Sequence, residues 1–210
     1  MRYQTLLLTL LFAPQLGTQS APVDPTKLAA RDSHQNLLVA ADPYMTSDRY
    51  KDRFGKKTPY DAGILAIDVY FRNDNEMPIH LKLETIHLVY SPGERAHQEL
   101  EPLSPEEVAD LVLRKQPKDS TVPRPIPFPH GAGSSTPKGF EDMVTSLRAV
   151  SLSTDVLPPH GTIHGFLFFN MNHDFAAVRQ SKLSVPDLYF MLDEKPLFFF
   201  EVPLSGSSSQ

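Results

Sequence analysis

Apolar and polar residues alternate along Gly63–Asn73, with Leu65, Ile67, Val69 and Phe71 on one face and Ala66, Asp68, Tyr70 and Arg72 on the other. A period of two predicts a strand with one face in a core. The turn cluster Asn73-Asp74-Asn75-Glu76-Met77-Pro78 then predicts an antiparallel return along Ile79–Tyr90. Within that return Leu81 and Leu83 alternate with His80, Lys82 and Glu84, but Ile86 and Leu88 fall on the polar phase, which asks for a bulge near Thr85 or burial of both faces beyond it. Ser91-Pro92-Gly93-Glu94 turns the chain again. Earlier, Leu37–Ala40 is the first candidate strand, ended by Asp42-Pro43. The charged stretch Tyr44–Ala62 fits either a short helix or a long loop, and we read it as a loop with helical turns.

Ser104–Lys115 has a different period. Ser104 is a good N-cap, Pro105 suits the first helical position, Glu107 completes a capping box, and Val108, Leu111 and Val112 form an i, i+3, i+4 stripe, with Arg114 and Lys115 at the cation-favouring end. This predicts a helix with Leu111 buried. Gln116–Gly139 holds six prolines and three glycines, a composition that predicts an exposed, extended, mobile loop. In Phe140–Val150, Met143, Val144, Leu147 and Val150 fit a helix, while Val150 and Leu152 alternate with serines, so a helix passing into a short strand is expected.

A second block of strands follows at Thr162–Asn170, Leu188–Leu192 and Leu197–Leu204, the last two joined as a hairpin through Asp193-Glu194-Lys195-Pro196. These strands are apolar on both faces, since Phe166 and Phe168 oppose Leu167 and Phe169, and Phe198 and Phe200 oppose Leu197 and Phe199. A strand in a two-layer sandwich needs only one apolar face, so the two predicted helices are expected to cover the other.

Composition changes the picture chiefly through location. Arg2, the apolar run Leu6–Ala13 and the small residues Thr18 and Ser20 have the form of an export signal cut before Ala21. The run is far below the roughly 18 residues of a membrane span, so no transmembrane anchor is expected. Losing residues 1–20 removes Arg2 alone, leaving 19 Lys+Arg against 25 Asp+Glu, or about −6. An acidic chain with no block of five or six basic residues makes nucleic acid a poor partner. Cysteine is absent, which removes disulfides, a thiolate nucleophile and a lipid-attachment site, and no Asn-x-Ser/Thr acceptor occurs. These features together favour a bacterial periplasmic or secreted protein. The organisation expected is a signal (1–20), a flexible leader (21–36), one domain (37–204, with the mobile loop at 116–139) and a disordered tail (205–210).

The strand Gly63–Val69 running into Asn73, the Leu-Ser-Pro-Glu-Glu-Val segment Leu103–Val108 and the Leu-Pro-Pro-x-Gly element Leu157–Gly161 before an aromatic strand resemble exported bacterial proteins of unknown function. More loosely, the chain is similar to immunoglobulin-like domains of exported and lipid-anchored proteins. The resemblance covers Leu37–Leu204 apart from the Pro-rich loop, and its motifs are turns and caps. It implies a mainly β fold, an immunoglobulin-like antiparallel β-sandwich with one or two helical insertions, and no known activity.

Candidate chemistry is sparse. His160, His164 and His173 share one region, but an extended strand puts the outer two more than roughly 30 Å apart at about 3.3 Å per residue, too far for one ion. His80 and His87 point to opposite faces of a regular strand. Asp68, Glu84 and Glu201 are single carboxylates whose pairing depends on the fold. No Gly-x-Ser-x-Gly, His-Glu-x-x-His or phosphate-loop motif occurs, and His130–Ser135, faintly like an oxyanion loop, lies in the least supported stretch. Pro123–Pro129 is stiff but lacks Pro-x-x-Pro spacing, so it suits a spacer. No catalytic, metal or cofactor residue is assigned. The reading that results is an exported, non-catalytic binding or envelope-associated module with a protein or envelope component as partner. The alternative is an exported hydrolase or metal-dependent enzyme whose site only the fold assembles.

Overall fold

The computed structural model describes residues 23–93, 96–114 and 136–206; the signal segment, most of the Pro-rich loop with Pro123–Pro129 and His130–Ser135, and the last four residues lie outside them. Within the described residues the chain opens with a hairpin, β1 (Ala30–His34) and β2 (Leu37–Pro43), and then helix α1 (Ser47–Phe54). β3 (Ile64–Asn73), β4 (Ile79–Leu81), β5 (His87–Gly93) and β6 (Ala96–Leu100) precede helices α2 (Pro105–Leu113) and α3 (Phe140–Arg148). β7 (Val156–Leu157), β8 (Thr162–Asn170), β9 (Lys182–Val185), β10 (Leu188–Phe190) and β11 (Phe200–Pro203) complete the fold. It is mainly β. The strands form three antiparallel sheets in the orders β1-β2-β3-β8, β10-β4-β7 and β11-β9-β5-β6, none closed into a barrel.

In the first sheet β3 and the second half of β8 are buried on both sides. One side of β3, Leu65, Ile67, Val69 and Phe71, shares the main core with Ile79 and Leu81 of the second sheet and Leu88, Leu183 and Val202 of the third. Ile64 and Ala66 on the other side pack with Phe166 and Phe168 of β8 beneath Tyr50, Val108, Ala109, Val144 and Leu147 of the helices. So the predicted two-faced strand at Thr162–Asn170 is covered by the two predicted helices. Tyr44–Ala62 supplies a third cover, for it folds as α1 and a 3₁₀ turn at Pro59–Ala62 rather than as a loop. β3, expected to have one buried face, has two.

Local signals decide the helix ends. The Ser104–Glu107 capping box forms, with the Ser104 hydroxyl accepting from the Glu107 amide and the Glu107 carboxylate accepting from the Ser104 amide. The helix it opens ends at Leu113, and Leu111 is only half-buried. Arg148 of α3 pairs with Glu106 of α2 and ties the two helices together. The buried Tyr50 hydroxyl donates to the Ile64 carbonyl at 3.1 Å and accepts from the Ala66 amide at 2.7 Å. It satisfies β3 where β2 has already ended, since the last β2–β3 partners are Pro43 and Ile67.

Pairing departs from expectation in several places. The leader contributes β1, which pairs with β2 from Ala30↔Ala41 to His34↔Leu37. Ile79–Tyr90 is not one strand returning along β3: a 3₁₀ turn at Leu83–Thr85 breaks it, β4 pairs with β10 and β7, and β5 pairs with β6 and β9. That turn moves the chain from one sheet to another, which is why the apolar phase switches there. The expected hairpin after Leu188 is tied by Phe190 N to Lys195 O and Leu197 N to Leu188 O, both 2.9 Å, but β11 then pairs with β9, a strand the pattern missed. Phe198 and Phe199 stay 72% and 60% exposed rather than covered. β11 also touches the first hairpin, where Gln35 Oε1 accepts from the Phe198 amide at 2.7 Å and Asp32 Oδ2 from the Glu201 amide at 3.2 Å. Ser151 makes a single parallel bridge to Phe166 in place of the short strand expected there.

Two stability tests follow from the packing. Phe168→Ala should cost about 3–5 kcal/mol by opening a cavity under the helices, whereas half-buried Leu111→Ala should cost only about 1 kcal/mol, as measured by urea unfolding. At Gly165 a Cβ would meet the backbone of Ser151 and Leu152, with Leu152 N at 2.5 Å. Gly165→Ala should therefore cost about 1–3 kcal/mol by forcing that segment off β8, and an unchanged melting temperature would refute the close approach.

Candidate functional site

Register brings together residues far apart in sequence. On the helix-facing side of the first sheet, Asp42 lies opposite Asp68, Asp68 opposite Phe166, and Tyr70 opposite His164. The same side is apolar at Ile64, Ala66 and Phe168 under the helices and turns polar along Asp68, Tyr70 and Arg72. The polar cluster therefore begins where the helical cover stops.

Asp68 is 7% exposed and its charge is held by donors. The Tyr70 hydroxyl donates to Oδ2 at 2.8 Å, and His164 Nδ1 lies 3.1 Å from Oδ1. A carboxylate only accepts, so Nδ1 carries the proton and the free acceptor of the neutral ring is Nε2. The imidazole is stacked on Tyr70 at 4.9 Å between centroids and is largely exposed. Asp42 is occupied by Arg49, whose Nη1 and Nη2 reach its two oxygens at 3.0 and 2.6 Å, while the guanidinium lies 3.9 Å over the Tyr44 ring. Such a bidentate, ring-stacked arginine is a rigid part of the surface.

Burial, then the Asp68 charge beside it, pushes the Tyr70 phenol well above its usual value, because ionising it would set a second anion against the carboxylate. Burial likewise raises Tyr50. Tyr90 is pushed up to about 12, first by burial and then by its 2.5 Å hydrogen bond to Asp174 Oδ2.

The remaining candidates are scattered. His160 pairs with Glu76 at 3.0 Å in the turn before β8, and His173 lies beyond its other end against Gly63. His80 stacks on Tyr189 and faces Asp155 at 3.4 Å, and His87 Nδ1 contacts the Thr85 carbonyl. Glu84 sits in the 3₁₀ turn, and Glu201 pairs with Lys182. Among the described residues no group of three His, Asp or Glu side chains is placed to hold a metal ion, and no helix is long and apolar enough to cross a membrane. Sequence reasoning singled out Asp68 and His164 separately but missed Asp42, Arg49 and Tyr70. The polar run Asp68, Tyr70, Arg72 on one face of β3 was the available signal.

No protein-family model matches the chain, and no curated protein matches it. Among solved structures it is similar to a functionally unknown protein from Listeria monocytogenes EGD-e, at 13% identity over 88% of this chain and 89% of that one, with a TM-score of 0.35. So slight a likeness transfers neither fold nor activity.

The raised phenols give a pH dependence with a definite sign. A phenol that ionises near pH 10 in the unfolded chain but near 12 when folded, as Tyr90 does, gives stability that is fully present below about pH 10 and is lost as pH rises towards 12. Urea unfolding should show this alkaline loss, and it should be smaller in Tyr90→Phe and Tyr70→Phe. Equal slopes in all three proteins would contradict the assignment.

Proposed function

We propose that the protein is an exported, non-catalytic binding or envelope-associated module, an immunoglobulin-like sandwich in lineage, that recognises a protein or envelope component through the segment joining β10 to β11. One observation carries this reading: of the five exposed large apolar residues among those described, Met191, Leu192, Phe198 and Phe199 lie on this one segment between β10 and β11. Leu188, Leu197 and Phe200 anchor the same segment in the core, so the exposed side chains are displayed from a fixed base. Exposed aromatic side chains on a supported base suit contact with a partner, and isolated surface leucines need no such account. The polar cluster adds support, because every carboxylate oxygen of Asp42 and Asp68 already accepts a hydrogen bond from within the protein.

The second reading, an exported hydrolase, draws on His164. Its Nδ1 is held by a buried carboxylate and its ring is largely exposed, the arrangement of an oriented general base. The two readings separate in one set of variants. Phe198→Asp with Phe199→Asp should leave the melting temperature nearly unchanged and abolish retention of the purified chain on isolated bacterial envelopes. His164→Ala should leave retention intact. Ester or amide hydrolysis by the native chain that disappears in both His164→Ala and Asp68→Asn would replace binding with catalysis. Export is checked separately: the protein recovered from the periplasm or medium should begin at Ala21.

A further inference from the structure

A cleft of about 350 Å³ opens between α1, α2 and α3; neither the Asp42, Asp68, Tyr70 and His164 cluster nor the segment joining β10 to β11 lines it, although Arg53 on its wall also lies 5.5 Å over the Phe166 ring. Its walls are apolar, formed by Phe54, Pro59, Val108, Val112, Met143 and Leu147. Val112 and Met143 are only half-buried although they face the helix layer, so the three helices do not close over one another here. A volume of this order lies at the lower end of the roughly 300–1,000 Å³ typical of small-molecule sites.

Charge is concentrated on one side of this cleft. Arg53 and Lys57 line it and Lys56 adjoins them, all three exposed, and none makes an ion pair with a carboxylate among the described residues. On the same helix Arg49 and Lys51 are neutralised by Asp42 and Asp48. Three uncompensated cations within five residues stand out on a chain whose formal charge is −5. Asp142 lines the cleft from α3 and is the opposing charge there; it directs an anion towards α1 rather than cancelling the three cations.

We propose that this cleft binds a single-chain amphiphile with an anionic head group, its hydrocarbon chain against Phe54, Val112, Met143 and Leu147 and its head group on Arg53 and Lys57. Apolar walls alone would accept any hydrocarbon. The cations select among head groups, and Met143, unbranched and adaptable, tolerates variation in the chain. Neither the β10–β11 segment nor His164 takes part, so this site stands or falls independently of the function proposed above.

The test is calorimetric titration of the full chain with laurate below its micellar range, with dodecanol and dodecyltrimethylammonium as probes of the same chain length. Laurate should bind with a stoichiometry of one, dodecanol more weakly, and the cationic probe most weakly. Arg53→Ala with Lys57→Ala, both at exposed positions, should weaken laurate roughly tenfold and leave dodecanol unchanged. Ser146→Trp, which places a ring from the exposed face of α3 into the cleft, should block both ligands without lowering the melting temperature. Lys57→Glu serves as a second charge variant and should narrow the preference for laurate over the cationic probe. The proposal is overturned if laurate does not bind, if dodecanol binds as tightly as laurate to the native chain, or if laurate binding is the same in the charge variants.

Discussion

The structure depends on one constraint: β3 and β8 form a strand pair that is apolar on both sides, and water must be kept from each. A phenylalanine or leucine fully withdrawn from water contributes about 1.5–3 kcal/mol, and the pair carries several on either face. One side is closed by the other two sheets, the other by three short helices. None of those helices exceeds nine residues, too short to persist alone, so their stability and the cover they give are the same interaction seen from two ends. The Tyr50 hydroxyl shows how closely the layers are joined, for a helix side chain completes the hydrogen bonding of β3 beyond the end of β2.

The place where this cover stops also determines where chemistry can sit. Along one face of β3 the residues pass from Ile64 and Ala66, under the helices, to Asp68 and Tyr70 at their edge. The Asp68 carboxylate there is almost wholly withdrawn from water, and Tyr70 and His164 supply the donors that bulk solvent no longer does. The Arg49–Asp42 pair beside it satisfies the neighbouring carboxylate in the same way. Charge is thus kept at the boundary of the aromatic cluster rather than inside it.

Features encoded by neighbouring residues were legible in the sequence. The Ser104 capping box, the alternation in β3 and the two-faced character of β8 all depend on spacings of two to four residues, and each is present. Partner choice was not legible, because it is set by contacts over long separations: β11 joins β9, and β4 abandons β3 for β10 and β7. The short strands β7 and β9 span two and four residues, too few to show a period, whereas β10 lies where the apolar run Leu188–Leu192 placed a strand. Asp68 and His164 could each be picked out as candidates, yet their meeting rests on the β3–β8 register that sets Tyr70 against His164 across 94 positions of sequence. Arg49 was concealed in a charged stretch read as a loop, which folds as α1 with Tyr50 and Phe54, four apart on one face, packed into the helical layer.

The side chains of Asp32 and Gln35, which accept the backbone amides of Glu201 and Phe198, have a consequence for self-association. Strand addition and amyloid-like stacking both begin when an incoming chain finds unpaired main-chain donors along an open border. Here two such donors are already taken by the β1–β2 hairpin, directly beside the exposed phenylalanines that would otherwise invite polymerisation. Neither of these two amides can receive an incoming strand, so the border next to Phe198 and Phe199 offers fewer free donors for edge-to-edge growth than its exposed aromatic rings would suggest.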